Sequence, residues 1–311
     1  MKKILITGGT GFIGTHLAKR LLELNYKIVC LNSIKTINTL KGVNIINKDL
    51  LKHDPNEGLS KNFDIIIHLA GKLVITDFIN NPELPFFNNI YTTLNLLEDI
   101  KINNPRAVFI FMSSEKVYGK VKKKSVNEEL SGFPLDAYGN SKLICELLIK
   151  NYNINHELKY IIFRPANCFG PGQKPGLLIP SFISKIVNGD KLINVGNVNL
   201  YRNFVYVSDL VNAITRSIEN PKAFNQTFNI SNYNLKIEEV LNKILEVAKL
   251  SVKQEIKIVK DKKLFRPLKY ESNRYILECK KASNILNWKP IYTFEDAIKE
   301  TLKDYFKYVK Y

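Results

Sequence analysis

Tyr138 and Lys142 stand four residues apart in Asp136-Ala137-Tyr138-Gly139-Asn140-Ser141-Lys142. On a helix that spacing puts the phenol and the ammonium on one face. A lysine so placed stabilises phenolate and lowers the tyrosine pKa, which makes the phenol a usable acid/base near neutrality. The same spacing recurs at Tyr118 and Lys122, but Gly119 lies inside it and a lysine run follows, so that copy does not read as helical. Ser114 closes the apolar run 107–112, where its hydroxyl could bond both the tyrosine and a substrate oxygen. Taken alone, a tyrosine near a lysine is a surface pair. With a strand-end serine before it, the pair becomes a candidate for proton exchange at an oxygen.

A second feature lies upstream. Thr7-Gly8-Gly9-Thr10-Gly11-Phe12-Ile13-Gly14 follows Ile4-Leu5-Ile6 and precedes the helix-like run from His16 to Leu22. Gly9, Gly11 and Gly14 fit G-x-G-x-x-G, while Gly8, Gly11 and Gly14 fit the wider G-x-x-G-x-x-G spacing. Turns without side chains let the backbone reach a pyrophosphate, whose charge rests on the free N–H groups of the helix N-terminus. Glycines also cap ordinary strand-to-helix turns. The strand before and the helix after point to a dinucleotide.

These residues need a scaffold, and the hydropathy pattern supplies one. Ile4–Thr7, Lys27–Leu31, Asn44–Ile46, Ile65–Leu69, Val108–Met112 and Tyr160–Phe163 read as strands, most too continuously apolar for one-sided exposure. Residues 14–24, 83–102 and 137–151 show helical spacing between them. The alternation predicts an α/β fold, a doubly wound parallel sheet of Rossmann type. After Arg164, Pro165, Gly170-Pro171-Gly172, Pro175-Gly176 and Pro180 mark a loop-rich change of character. Strand-like 203–207 and helix-like 209–218 are expected to return to the sheet. The chain thus divides into a dinucleotide-binding domain, 1–165 with the return segment 203–231, and a smaller mixed substrate-binding lobe, 166–202 and 232–311, ending on helix 294–309.

The net charge of +17 raises the question of a nucleic-acid partner. The lysines are scattered without aromatic or arginine-rich stripes, and the cluster Lys120-Val121-Lys122-Lys123-Lys124 reads as a solvated loop. No nucleic acid is expected. Cys30, Cys145, Cys168 and Cys279 form no C-x-x-C pair, which argues against zinc and a disulfide framework and suits a reducing cytoplasm. No metal is expected, and no apolar run approaches the ~20 residues of a membrane span. His68 follows Ile65-Ile66-Ile67 and reads as a satisfied core histidine; Cys168 reads as packing.

With these motifs in order, the chain resembles the extended short-chain dehydrogenases/reductases of the NAD-dependent epimerase/dehydratase family, which act on nucleotide-diphosphate sugars. The resemblance spans nearly the whole chain: Thr7–Gly14, His68-Leu69-Ala70-Gly71, Asn81-Pro82-Glu83 with Asn89, Ser113 to Gly119, Tyr138–Lys142, Arg164-Pro165-Ala166-Asn167, Arg202 to Asp209, and Asn287-Trp288-Lys289-Pro290. It implies Ser114, Tyr138 and Lys142 as the catalytic triad, with Lys142 also on the nicotinamide ribose. It implies a coenzyme held by Gly8, Gly11, Phe12, Ile13, Gly14, Ala70, Gly71 and Asn89, with Asp49 and Leu50 at the adenine. Asn167, Arg202 and Arg266 match positions that hold the substrate diphosphate, a role that suits arginine forks.

Two departures leave the reaction open. NAD-preferring members carry an acid where this chain has Asn32, followed by Ser33 and Lys35. Asn32 could bond the ribose diol of NAD, or tolerate a 2′-phosphate that Lys35 pairs, so NAD and NADP both stand. Many sugar 4,6-dehydratases place Asp-Glu where this chain has Glu115-Lys116. Glu115 could still serve as a catalytic acid, or the pair could be an uninvolved loop. A 4-epimerase leads, ahead of an NADPH-dependent 4-keto-sugar reductase and then a 4,6-dehydratase; a non-catalytic dinucleotide-binding regulator is the alternative outside enzymes. A homodimer is expected through helices 83–102 and 137–151, whose Leu94, Leu96, Leu97, Ile100, Leu143, Ile144, Leu147 and Leu148 exceed one sheet contact.

Overall fold

A computed structural model of the chain describes residues 1–33, 41–72, 83–249, 256–265 and 274–309. Its strands are β1 (Lys3–Thr7), β2 (Lys27–Asn32), β3 (Asn44–Asn47), β4 (Ile65–His68), β5 (Val108–Met112), β6 (Ser125–Val126) and β7 (Lys159–Pro165). They continue with β8 (Asn167–Phe169), β9 (Leu192–Val195), β10 (Tyr201–Tyr206), β11 (Gln226–Ile230), β12 (Tyr233–Lys236), β13 (Lys257–Lys260) and β14 (Ile276–Leu277). The helices are α1 (Phe12–Glu23), α2 (Glu83–Asn103), α3 (Ala137–His156), α4 (Leu178–Val187), α5 (Val207–Ser217), α6 (Ile237–Lys249), α7 (Lys280–Leu286) and α8 (Phe294–Val309).

Seven strands form one sheet in the order β11-β7-β5-β4-β1-β2-β3, every neighbouring pair parallel. The period of two decides which side chain meets which helix. Ile4, Ile6, Ile65, Ile67 and Ile110 join a core with Leu17, Ala18 and Leu21 of α1 and Leu210 and Ile214 of α5. The alternate residues Leu5, Ile66, Phe109 and Phe111 face Leu96, Leu97 and Ile100 of α2 and Cys145 and Ile149 of α3. Both faces are buried, which is why the middles of β1, β4 and β5 are continuously apolar. The chain winds outward in opposite directions from β1 and β4, so a crevice opens beyond their carboxyl ends.

Two expectations need correction. The segment 203–207 does not return to the main sheet: β10 lies between β12 and β8 in a separate three-stranded sheet. The return is made by α5, which packs beside α1, and by β11, which pairs with β7 as an edge strand. The polar letters of Gln226-Thr227-Phe228-Asn229-Ile230 hid that strand, yet Thr227 and Asn229 are buried in it. Helix α3 also runs beyond residue 151 to His156, with no glycine or proline to stop it, and ends where Glu157 turns left-handed at φ 56°. Two short pairs, β13 with β9 and β14 with β6, complete the described sheets. Among the described residues no helix is long and apolar enough to cross a membrane.

Candidate active site

The glycine turn builds the first wall of the crevice. Gly8 is left-handed at φ 69°, and a Cβ there would approach the Ala70 backbone nitrogen to 2.9 Å. A Cβ on Gly14 would stand 2.4 Å from the Gly8 carbonyl oxygen, so this turn closes on α1 only without side chains. No side chain caps the helix that starts after Gly11. The backbone at Phe12, Ile13 and Gly14 therefore keeps N–H donors for an anion at a helix N-terminus. Gly8, Gly11, Asn32, Asp49, Leu50, Ala70 and Gly71 line one cavity above the ends of β1, β2 and β4. A glycine cradle beside uncapped donors fits a dinucleotide pyrophosphate.

The residues around that cavity are held by specific bonds. Asn32 accepts from the Thr10 N–H at 3.3 Å through Oδ1. Asp49 caps the short turn Leu50–Lys52 by accepting from Leu51, and Asn95 donates to the Leu50 carbonyl at 2.8 Å. Asn89 is buried and ties Lys72 to α3, accepting from the Lys72 N–H at 2.7 Å and donating to Ser141 at 3.0 Å. Its amide thus supports the Gly71 strand end. Lys48, Lys72 and Thr92 also line the cavity. They stand in no motif, and only their positions beside Asp49, Gly71 and Asn89 could have pointed to them. Lys35 and Arg266 lie outside the described residues.

At the next strand end, β5 delivers Ser114 to the edge. Ser114 starts one turn of 3-10 helix, Glu115–Tyr118, and accepts from the Lys116 N–H at 3.2 Å. Asp136 caps α3 through the Gly139 N–H at 2.7 Å, which starts that helix one residue before Tyr138. A Cβ on Gly139 would meet the Lys116 carbonyl oxygen at 2.7 Å, so the helix start sits tight against the serine turn. Ser114 lies near enough to the Tyr138 phenol to favour its ionised form. Lys142 is buried, donates to the Met112 carbonyl at 2.9 Å, and lies 4.8 Å from the Phe111 ring centroid. A Cβ on Gly71 would lie 3.4 Å from the Lys142 amine, so Lys142 stands beside the wall of the glycine-lined cavity.

The electrostatics differ from the sequence expectation. Burial pushes the Tyr138 phenol above its ordinary range, and Asp136 adds to that, against the Ser114 hydrogen bond that favours phenolate. Burial lowers the Lys142 pKa, while Cys145 and Glu146 oppose it. The lysine is on the predicted face, but its amine is drawn to the end of β5. In the chain alone, the expected lowering of the tyrosine does not occur. His68 is a core residue: its ring nitrogens bond Thr7 at 2.7 Å and Thr93 at 3.1 Å. Burial, with the charge of Lys142, brings its pKa down to about 3. Cys168 is likewise pushed up by burial.

A buried network that spacing did not reveal lies behind Ser114 and Lys142. Glu146, one turn beyond Lys142, accepts from Ser113 at 2.5 Å and from Arg164 Nη2 at 2.6 Å. Arg164 also donates to the Tyr118 hydroxyl at 2.9 Å, which donates to Asn229 at 2.7 Å. Helix, serine turn and edge strand are thereby joined.

On the far side of the serine turn, Asn167 and Arg202 line a second cavity together with Lys116 and Lys185. Arg202 donates to the Tyr201 carbonyl at 2.9 Å. Glu115, although adjacent to Lys116, is 3 % exposed and does not border this cavity. Burial raises its carboxyl pKa, against the effects of Lys116, Asn203, Arg202 and Tyr275. Lys120, Lys122, Lys123 and Lys124 are exposed, as a solvated loop should be.

This arrangement has known counterparts. The family model described as GDP-mannose 4,6 dehydratase matches residues 5–301. A Methanocaldococcus jannaschii protein provisionally named UDP-glucose 4-epimerase is 31 % identical over 307 residues, covering 96 % of this chain and 97 % of its own. A variant of UDP-glucuronic acid 4-epimerase from Bacillus cereus, solved with UDP-4-deoxy-4-fluoro-glucuronic acid and NAD, superposes with a TM-score of 0.86 at 25 % identity, covering 98 % of this chain and 99 % of that one. RMD from Pseudomonas aeruginosa, solved with NADPH, gives 0.81 at 25 % identity and covers 99 % and 100 %. Match, fold and site agree: the chain belongs to the extended short-chain dehydrogenases/reductases of the nucleotide-sugar epimerase/dehydratase family.

Proposed function

We propose that this chain is an NAD(P)-dependent nucleotide-diphosphate-sugar 4-epimerase. The observation that carries the reading is Lys142, one helical turn after Tyr138, standing against Gly71 of a glycine-lined cavity, with the Ser114 turn between that cavity and a second, cation-lined one. Gly8, Gly11 and the N-terminal turn of α1 hold the pyrophosphate, Asp49 and Leu50 the adenine side, and Ala70, Gly71 and Lys142 the nicotinamide side. When bound, the nicotinamide supplies the acceptor and donor of hydride. Tyr138 takes the proton from the C4 hydroxyl while Ser114 holds that oxygen, and returns the proton once the opposite face has been reduced. Arg202, with Asn167 and Arg266, belongs to substrate binding.

The second reading is an NADPH-dependent 4-keto-sugar reductase, favoured by the neutral Asn32 and by the NADPH complex of RMD. Elimination of water is disfavoured, because Lys116 replaces a carboxylate and Glu115 stands behind the cavity wall. A non-catalytic regulator would have no need of the paired serine and tyrosine. We place the protein in the cytoplasm, acting on small nucleotide sugars rather than nucleic acid, and as a homodimer through α2 and α3.

The test is direct. With NAD bound, UDP-glucose and its dTDP and GDP counterparts should be interconverted with their C4 epimers without net reduction of coenzyme. Stoichiometric NADPH oxidation by a 4-keto sugar, with no epimer formed, would replace this reading with the reductase.

A further inference from the structure

We propose that Glu115 is a positioning residue: it fixes the Asn167 amide so that its carbonyl oxygen faces the substrate cavity and accepts from a hydroxyl of the bound sugar. The inference rests on the nucleotide-sugar reading above. Glu115 Oε1 accepts from Asn167 Nδ2 at 3.0 Å, and Oε2 accepts from Asn203 Nδ2 at 2.9 Å and from the Tyr275 hydroxyl at 3.4 Å. Asn167 Nδ2 donates its other hydrogen to the Asn203 backbone carbonyl at 2.9 Å. Both amide hydrogens are therefore spent inward, on acceptors.

The orientation has no comfortable alternative. Turning the Asn167 amide over would set Oδ1 against a carboxylate oxygen and a carbonyl oxygen, with no donor between them. Asn203 is fixed by the same logic, since its Oδ1 accepts from Asn234 Nδ2 at 2.8 Å. Asn167 borders the cavity and Glu115 does not. What Asn167 can offer a ligand from its side chain is Oδ1, an acceptor. An acceptor suits a sugar hydroxyl and opposes a diphosphate, the group to which resemblance assigns this position. Arg202, on the same cavity, carries the charge a diphosphate requires.

Glu115 itself is ill placed to act as an acid. Three donors from three separate segments hold its oxygens, and it does not border the cavity.

Calorimetry on the NAD-loaded protein separates the possibilities, with UDP-glucose and UDP as probes. Glu115→Gln and Asn167→Ala should weaken UDP-glucose roughly fivefold to twentyfold while leaving UDP within about twofold, the scale of one lost hydrogen bond. Turnover in Glu115→Gln should keep kcat within about tenfold of wild type, the larger change being in KM. Should Glu115→Gln fail to fold, Tyr275→Phe removes one of its donors away from the cavity and should give the same selective loss of UDP-glucose. Equal losses for UDP and UDP-glucose would return Asn167 to the diphosphate and overturn the proposal. A collapse of kcat in Glu115→Gln by more than about a hundredfold, with UDP-glucose affinity intact, would make Glu115 an acid and also overturn it. A wild-type protein that binds no nucleotide sugar overturns the underlying reading, an outcome distinct from either of these.

Discussion

In the proposed reaction the chemistry rests on the Tyr138 phenol, whose pKa burial raises and Ser114 lowers. Tyr138→Phe should lower turnover roughly 10²–10⁴-fold, the usual scale of a lost general acid/base, and leave coenzyme affinity nearly unchanged. Near-wild-type turnover in the variant would move the chemistry elsewhere. His68 makes a different prediction, about stability. Its folded pKa of about 3 lies below the ordinary 6.5, so between those values the unfolded chain binds the proton and the folded chain does not. The contribution is complete above pH 6.5 and is lost as the pH falls toward 3. From pH 7.5 to pH 5 the loss should be about 2 kcal/mol from this residue. Urea titrations of the wild type and His68→Gln should show the variant losing less stability over that range; identical pH slopes would reject the assignment.

At the scale of elements, three junctions make the site: β1 to α1, β4 to Gly71, and β5 to the serine turn. Each depends on a close approach that one methyl group would spoil. Gly14→Ala places a Cβ 2.4 Å from the Gly8 carbonyl oxygen, so the turn must shift. It should cost roughly 1–3 kcal/mol of stability, as overpacking does, and weaken coenzyme binding by at least about tenfold. Thermal melting and a coenzyme titration read the two effects separately. An unchanged Tm with unchanged affinity would mean that the turn is looser than the structure makes it.

At the scale of the whole molecule, α2 and α3 pack together, and their outer faces carry Phe87, Tyr91 and Leu147, exposed by 43 %, 49 % and 58 %. The proposed dimer rests on these. Leu96, Leu97 and Ile100, which the sequence offered as interface residues, are fully buried under the sheet. They are explained within one chain. Leu147→Asp should shift sedimentation from dimer to monomer at micromolar concentration, because a carboxylate would be desolvated in the proposed interface. A wild type that sediments as a monomer would remove the dimer. Because α3 also carries Tyr138 and Lys142, the variant should lose activity in proportion to the monomer formed.

What the sequence by itself determined is what local spacing can encode. The glycine turn, the helix that aligns Tyr138 with Lys142, and the strands β1, β2, β4 and β5 follow from short-range sterics and from apolar runs buried on two faces. The tertiary structure decided what depends on partners distant in the chain. Glu115 meets Asn167, Asn203 and Tyr275 across 52, 88 and 160 residues, and no periodicity records such a meeting. Lys142 donates to the Met112 carbonyl, because a buried ammonium needs an acceptor wherever the fold supplies one. The seventh strand was hidden for the same reason. Its buried Asn229 accepts from Tyr118 and donates its backbone N–H to Glu128, so polar residues lie inside only where the fold brings them partners.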